Sequence, residues 1–100
     1  MTTYFVSRHA GAVEWVRGQG YDAVVHVTHL QTDRVKAGDI VLGTLPVSLI
    51  AEICTKGARY YHLTLNTPPD MRGEELTPEQ MDQFGAGLVE YTARRVNDDG

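Results

Sequence analysis

Residues 3–18, TYFVSRHAGAVEWVRG, place a strand, a break and a helix in immediate succession. Thr3 to Val6 are β-branched or aromatic, the composition of a pleated segment, and the strand pattern runs to Ser7. Arg8 to Gly11 interrupt it. Ala12, Val13, Trp15 and Val16 then recur at helical spacing, with Glu14 and Arg17 turned away from them. Gly18 and Gly20 close the helix, because glycine enters a left-handed cap at little steric cost. A strand that passes through a short polar loop into a helix is the opening of a βαβ unit.

The rest of the chain continues the alternation. Asp22 to Thr28, DAVVHVT, predicts a second strand, apolar enough to expect burial on both faces, as in a parallel sheet. His29 to Asp39 form a polar connection. Asp39 to Thr44 predict a third strand. Pro46 suits the first turn of a helix, where its missing N–H is no loss. Val47, Leu49, Ile50, Ile53 and Cys54 give that helix an apolar stripe, and Gly57 stops it. Ala58 to Leu65 predict a fourth strand, and Asn66 to Leu76 a loop with Pro68, Pro69 and Gly73. Thr77-Pro78-Glu79-Gln80 is a helix start, with a Thr cap, a first-turn Pro and Gln three residues on. Met81, Phe84, Leu88, Tyr91 and Val96 predict one face of a long final helix, followed by a frayed polar tail at Asn97 to Gly100. The order β-α-β-β-α-β-α predicts an α/β fold: one domain over residues 1–100, with a mainly parallel sheet of about four strands and three helices.

Bulk properties bound the function. A chain of 100 residues fits one domain. Hydrophobic residues are 42% and charged residues 22%, values of a globular chain rather than a disordered one. The net charge of -4 argues against coating a nucleic-acid duplex, but a small anion can still be bound by a local field. Cys54 is the one cysteine, so an intrachain disulfide is impossible and no thiolate metal cluster is available. The amino-terminal residues lack the pattern of a secretory leader, and no apolar run approaches the ~18 residues of a membrane span. A soluble cytosolic protein is expected.

In parallel sheets, ligands bind beyond the carboxyl ends of the strands. The loops after Ser7, Leu42 and Leu65 should therefore meet there. The first offers Ser7, Arg8, His9 and, before the helix, Gly11. Arginine suits bidentate contact with phosphate, histidine suits proton transfer near neutral pH, and a helix start presents unpaired N–H groups. The second offers Gly43 and Thr44: glycine admits close approach, and the hydroxyl can meet an anion or cap the following helix. The third carries Arg72, which can reach over a ligand or remain plain surface charge. His26 and His62 fall inside strands and are expected to be structural, whereas His29 lies nearer the site. No Walker lysine and no dinucleotide glycine fingerprint is present. Four histidines without close spacing make no metal motif.

Arg8-His9 after a first strand resembles the histidine phosphatases. Here Ala10 replaces the glycine of their Arg-His-Gly motif, and the chain is about half their usual length. A fuller resemblance covers nearly the whole chain. YFVSRHAGAVEW (4–15), GDIVLGTLPVSLIAEICTKGARYYHL (38–63) and RGEEL (72–76) resemble a small family encoded beside type III CRISPR systems. A proline is common in that family where Ala10 stands here. The resemblance implies a Rossmann-like fold related to the sensor domains that bind cyclic oligoadenylates, normally as homodimers. It implies a ring nuclease that opens the messenger, with cyclic tetra-adenylate the expected ring, and so ends the signal.

On that basis Arg8 is assigned charge stabilisation and His9 proton transfer. Ser7, Gly11, Gly43 and Thr44 are assigned to fixing phosphates, and Arg72 to clamping the ring. The chemistry expected is attack of a ribose 2′-hydroxyl on its own phosphate, which in principle needs neither metal nor cofactor. Two alternatives stay open. The same site could sequester the ring without cutting it, or the chain could be an interaction protein that uses its final helix as a dimer surface.

Overall fold

The computed structural model describes residues 1–21 and 23–96. The expected strand start at Asp22 and the expected tail at Asn97 to Gly100 lie outside the described residues. Strand β1 (Thr3–Val6), helix α1 (Ala10–Gly18), strands β2 (Val25–Val27) and β3 (Ile40–Gly43), helix α2 (Val47–Thr55), strand β4 (Arg59–Thr64), helix α3 (Pro78–Gln83) and strand β5 (Gly87–Tyr91) follow in that order. Short 3-10 turns lie at Thr32–Arg34 and Pro69–Met71.

The sheet runs β2-β1-β3-β4-β5. The first four strands are parallel, and β5 lies antiparallel to β4. This is an α/β fold compatible with the Rossmann-like expectation. Register places Phe5 opposite Leu42 and Tyr4 opposite Val41. Successive side chains leave a strand on opposite faces, so each pair feeds a different core. Phe5 and Leu42 pack with Ala12, Val13, Trp15 and Val16 of α1 and Met81 of α3. Val41 and Tyr60 pack with Ile50 and Ile53 of α2 on the other face. The Trp15 indole N–H donates to Asp82 Oδ1 at 2.7 Å, which ties α1 to α3.

The start of the sheet is pinned by a buried carboxylate. Asp39 is 5% exposed. It accepts the Thr2 N–H at 2.9 Å and the Lys36 N–H at 3.0 Å. These two backbone donors hold its carboxyl below the usual carboxylate range. At the far edge the Arg59 guanidinium forks onto Glu90, at 2.8 and 2.9 Å, and joins β4 to β5.

The mainly parallel sheet and the three helices are as expected, and the sheet carries a fifth strand. Two expectations need correction. Strand β2 is not buried on both faces, because it pairs only with β1 at the sheet edge, and Val25 and His26 are exposed. An apolar run reads alike for a central strand and an edge strand. The long final helix is a six-residue helix and a strand. Its capping box forms as expected between Thr77 and Gln80. The helix then ends at Phe84, and Gly85 takes φ +75, a conformation glycine enters freely. Leu88, expected on a helix face, packs against the core from β5, while Tyr91 of β5 and Val96 are exposed. A dimer surface on a long final helix therefore has no structural basis.

Candidate functional site

The connections on the two sides of the sheet run in opposite directions. The chain leaves β1 through α1 to reach β2 on one side, and leaves β3 through α2 to reach β4 on the other. Such a fold opens a crevice at the carboxyl ends of the two strands where the order reverses, here β1 and β3. An open cavity of about 680 Å³ lies at that point. Its size falls within the usual range for small-molecule sites, roughly 300–1,000 Å³.

Four segments reach it. The loop after β1 contributes Ser7, Arg8 and His9. The turn after β3 contributes Gly43, Thr44, Leu45 and Pro46. The loop after β4 contributes Leu65, Thr67, Met71, Arg72, Gly73 and Glu74. The segment after β2 adds Thr28, His29 and Leu30. The floor is apolar, with Phe5, Leu63 and Met81 among its residues. Six of the seven residues singled out from the sequence therefore share one cavity: Ser7, Arg8, His9, Gly43, Thr44 and Arg72.

The loop after β1 is held by local bonds. The Ser7 N–H donates to the Val27 carbonyl at 3.0 Å and extends the β1–β2 ladder by one step. Ser7 Oγ accepts the His9 N–H at 3.1 Å, a tight hydroxyl turn. The Ser7 carbonyl lies 2.6 Å from His26 Nε2, so that edge-strand histidine supports the loop. Helix α1 begins at Ala10 with no side-chain cap, which leaves its first-turn N–H groups toward this end of the sheet. Arg8 and Arg72 are exposed, and among the described residues neither pairs with a carboxylate.

The turn after β3 is held from β4. The buried Tyr60 hydroxyl donates to the Gly43 carbonyl at 2.9 Å and accepts the Leu45 N–H at 2.9 Å. His62 Nδ1 lies 2.6 Å from the same oxygen. With Tyr60 donating to Gly43, the shared proton of that contact belongs to His62. Burial pushes the Tyr60 hydroxyl above its ordinary pKa, so it keeps the proton it donates. Space at Gly43 is tight: a Cβ there would lie 3.0 Å from the Val6 carbonyl oxygen, which would have to give by a few tenths of an ångström. Thr44 does not cap α2. That helix has Pro46 at its N-cap and no side-chain cap, so Pro46 stands one step before the first turn.

Gly11 does not line the cavity. It is a packing glycine, since a Cβ on it would fall 2.0 Å from the Leu76 carbonyl oxygen. The close contact brings the end of the long loop against the start of α1. There Glu75 Oε1 lies 2.5 Å from His9 Nδ1. Glu75 belongs to the RGEEL block of the sequence resemblance, but nothing in spacing links residue 75 to residue 9. His29, expected near the site from its place after β2, does line the cavity, and Glu74 is a further cavity residue that the sequence does not assign. Among the described residues no group of three or more His, Cys, Asp or Glu side chains could hold a metal ion. No described helix is long and apolar enough to cross a membrane.

No curated protein and no solved structure gives a significant match. A family model does, over residues 4–94, and those residues include every segment that builds the cavity. The family is described as "Putative CRISPR-associated protein (Cas_VVA1548)". With nearly its whole length matched, the chain belongs to this CRISPR-associated family.

Proposed function

We propose that the cavity binds a cyclic oligoadenylate and opens its ring. One observation carries this: two arginines that pair with no carboxylate among the described residues and a histidine, from loops more than sixty residues apart, converge on one cavity at the switch point of the sheet. Membership of a CRISPR-associated family supports the choice of a nucleotide messenger over other phosphate esters. Arg8 and Arg72 meet phosphate oxygens as planar, permanently charged donors. Thr44 adds a hydroxyl, and the start of α1 adds N–H groups. Glu74 adds the opposite charge to the same lining.

The cavity of about 680 Å³ is open to one side. A two-fold homodimer would present each loop twice to a ring of matching symmetry. In the cleavage step a ribose 2′-oxygen forms a bond to its own phosphorus, and the bond from phosphorus to the 5′-oxygen breaks. The products are a 2′,3′-cyclic phosphate and a free 5′-hydroxyl. Arg8 stabilises charge on the phosphorane, and His9 protonates the departing oxygen.

The direct test is to incubate the purified protein with cyclic tetra-adenylate, with and without a chelator, and to separate the products by chromatography. Linear products ending in 2′,3′-cyclic phosphate are expected in both. An intact ring that co-elutes with the protein would replace cleavage by sequestration. An intact ring without binding would overturn the proposal for this messenger.

A further inference from the structure

We infer that Glu75 is the positioning residue for His9, holding its imidazole so that Nε2 is the nitrogen presented for proton transfer. The inference rests on the ring-opening proposal for its catalytic half and on geometry alone for its structural half. Four observations carry it. Glu75 Oε1 and His9 Nδ1 are in direct hydrogen-bonding contact, 2.5 Å apart. No hydrogen bond reaches His9 Nε2 among the described residues. Both side chains are largely exposed, 58% and 62%, so neither is buried merely to fill a core. Gly11 allows the contact, because only a residue without a Cβ lets the Leu76 carbonyl approach α1 so closely.

A carboxylate can only accept. When it takes the Nδ1 proton, a neutral ring must carry its hydrogen on Nδ1 and leave Nε2 bare, and a charged ring must carry its second proton on Nε2. A histidine oriented by a third group is the general arrangement for proton transfer at a reacting oxygen. In the cleavage step the charged ring gives its Nε2 proton to the 5′-oxygen as the phosphorus–oxygen bond breaks. The 2′-hydroxyl proton passes to solvent water, and solvent returns a proton to Nε2. Atoms and charge balance, and Glu75 stays ionised throughout.

The test reads tautomer and kinetics separately. Nitrogen-15 NMR of the wild-type protein with its histidine rings neutral should report His9 protonated on Nδ1. Glu75→Leu, which removes the acceptor, should return His9 to the Nε2–H form dominant in free imidazole. Glu75→Gln, which keeps an acceptor oxygen, should retain the Nδ1–H form. With cyclic tetra-adenylate, Glu75→Leu should lower kcat on the order of 10²-fold with KM within about twofold, and Glu75→Gln should recover part of the loss. An unchanged tautomer in Glu75→Leu overturns the inference. So does a rise in KM with kcat intact, which would make Glu75 only a latch for the loop. If the wild-type protein opens no ring, the ring-opening proposal fails, and the NMR result still decides whether Glu75 holds His9.

Discussion

His9 and Arg8 adjoin in the chain and share a cavity, yet their assigned roles separate in experiment. His9→Ala removes the proton donor and leaves the charge of Arg8, so turnover of cyclic tetra-adenylate should fall about 10²-fold or more while binding by equilibrium dialysis is retained. Arg8→Ala removes a phosphate contact, so binding and turnover should fall together. Unchanged turnover in the first variant removes His9 from the chemistry, and normal binding in the second removes Arg8 from ligand contact. Asp39 makes a prediction about stability rather than activity. Its folded-state pKa is depressed, so its contribution is complete above the unfolded value, about 4, and is lost as pH falls through the folded value. Asp39→Asn can accept only one of the two backbone protons. It should cost about 1–3 kcal/mol at pH 7 by urea denaturation, and the gap to wild type should close as pH drops below about 4. A gap that does not change with pH would mean the carboxylate charge is not what pins Thr2 and Lys36.

Elements meet at Gly11 in a way that no single element's sequence reveals. Gly11→Ala forces the Leu76 carbonyl away from α1, and overpacking of this kind costs about 1–3 kcal/mol. Thermal melting should show that loss, and the His9–Glu75 contact should weaken with it. A variant as stable as wild type would show that the loop can retreat freely. The first strand, the two longer helices and the capping box of α3 were legible because each rests on local chemistry: apolar periodicity, a glycine stop, a Thr-Pro-x-Gln start. The strand β5 was not. Met81, Phe84 and Leu88 are spaced as on a helix, and Gly85 and Gly87, which break it, sit between them. Helix spacing outweighed two breakers in the pattern, whereas tertiary pairing with β4 decided the fold. The meeting of the loops in one cavity was legible because it follows from topology, since loops at one sheet edge must converge. Glu75 was not, because its partner lies across the fold.

For the whole molecule, a net charge of -4 means that long-range steering does not favour a polyanion. Affinity for a cyclic oligoadenylate must come from charges placed inside the cavity. Binding should weaken as salt rises, and Arg72→Ala should lower the slope of log K against log salt by about one for each arginine lost from a phosphate. An unaltered slope would place Arg72 outside the phosphate contacts. The sheet order has a further consequence, for the making of the chain. Strand β1 is an interior strand, yet both its neighbours come later in sequence. A ribosome adding about 5–20 residues per second needs roughly 2–7 s to pass from the end of β1 to the end of β3. For the first part of that interval Tyr4, Phe5 and Val6 have no native partner across the sheet, and from residue 27 until residue 43 they have β2 alone, so nascent chains should be most open to holdase chaperones before residue 43 emerges.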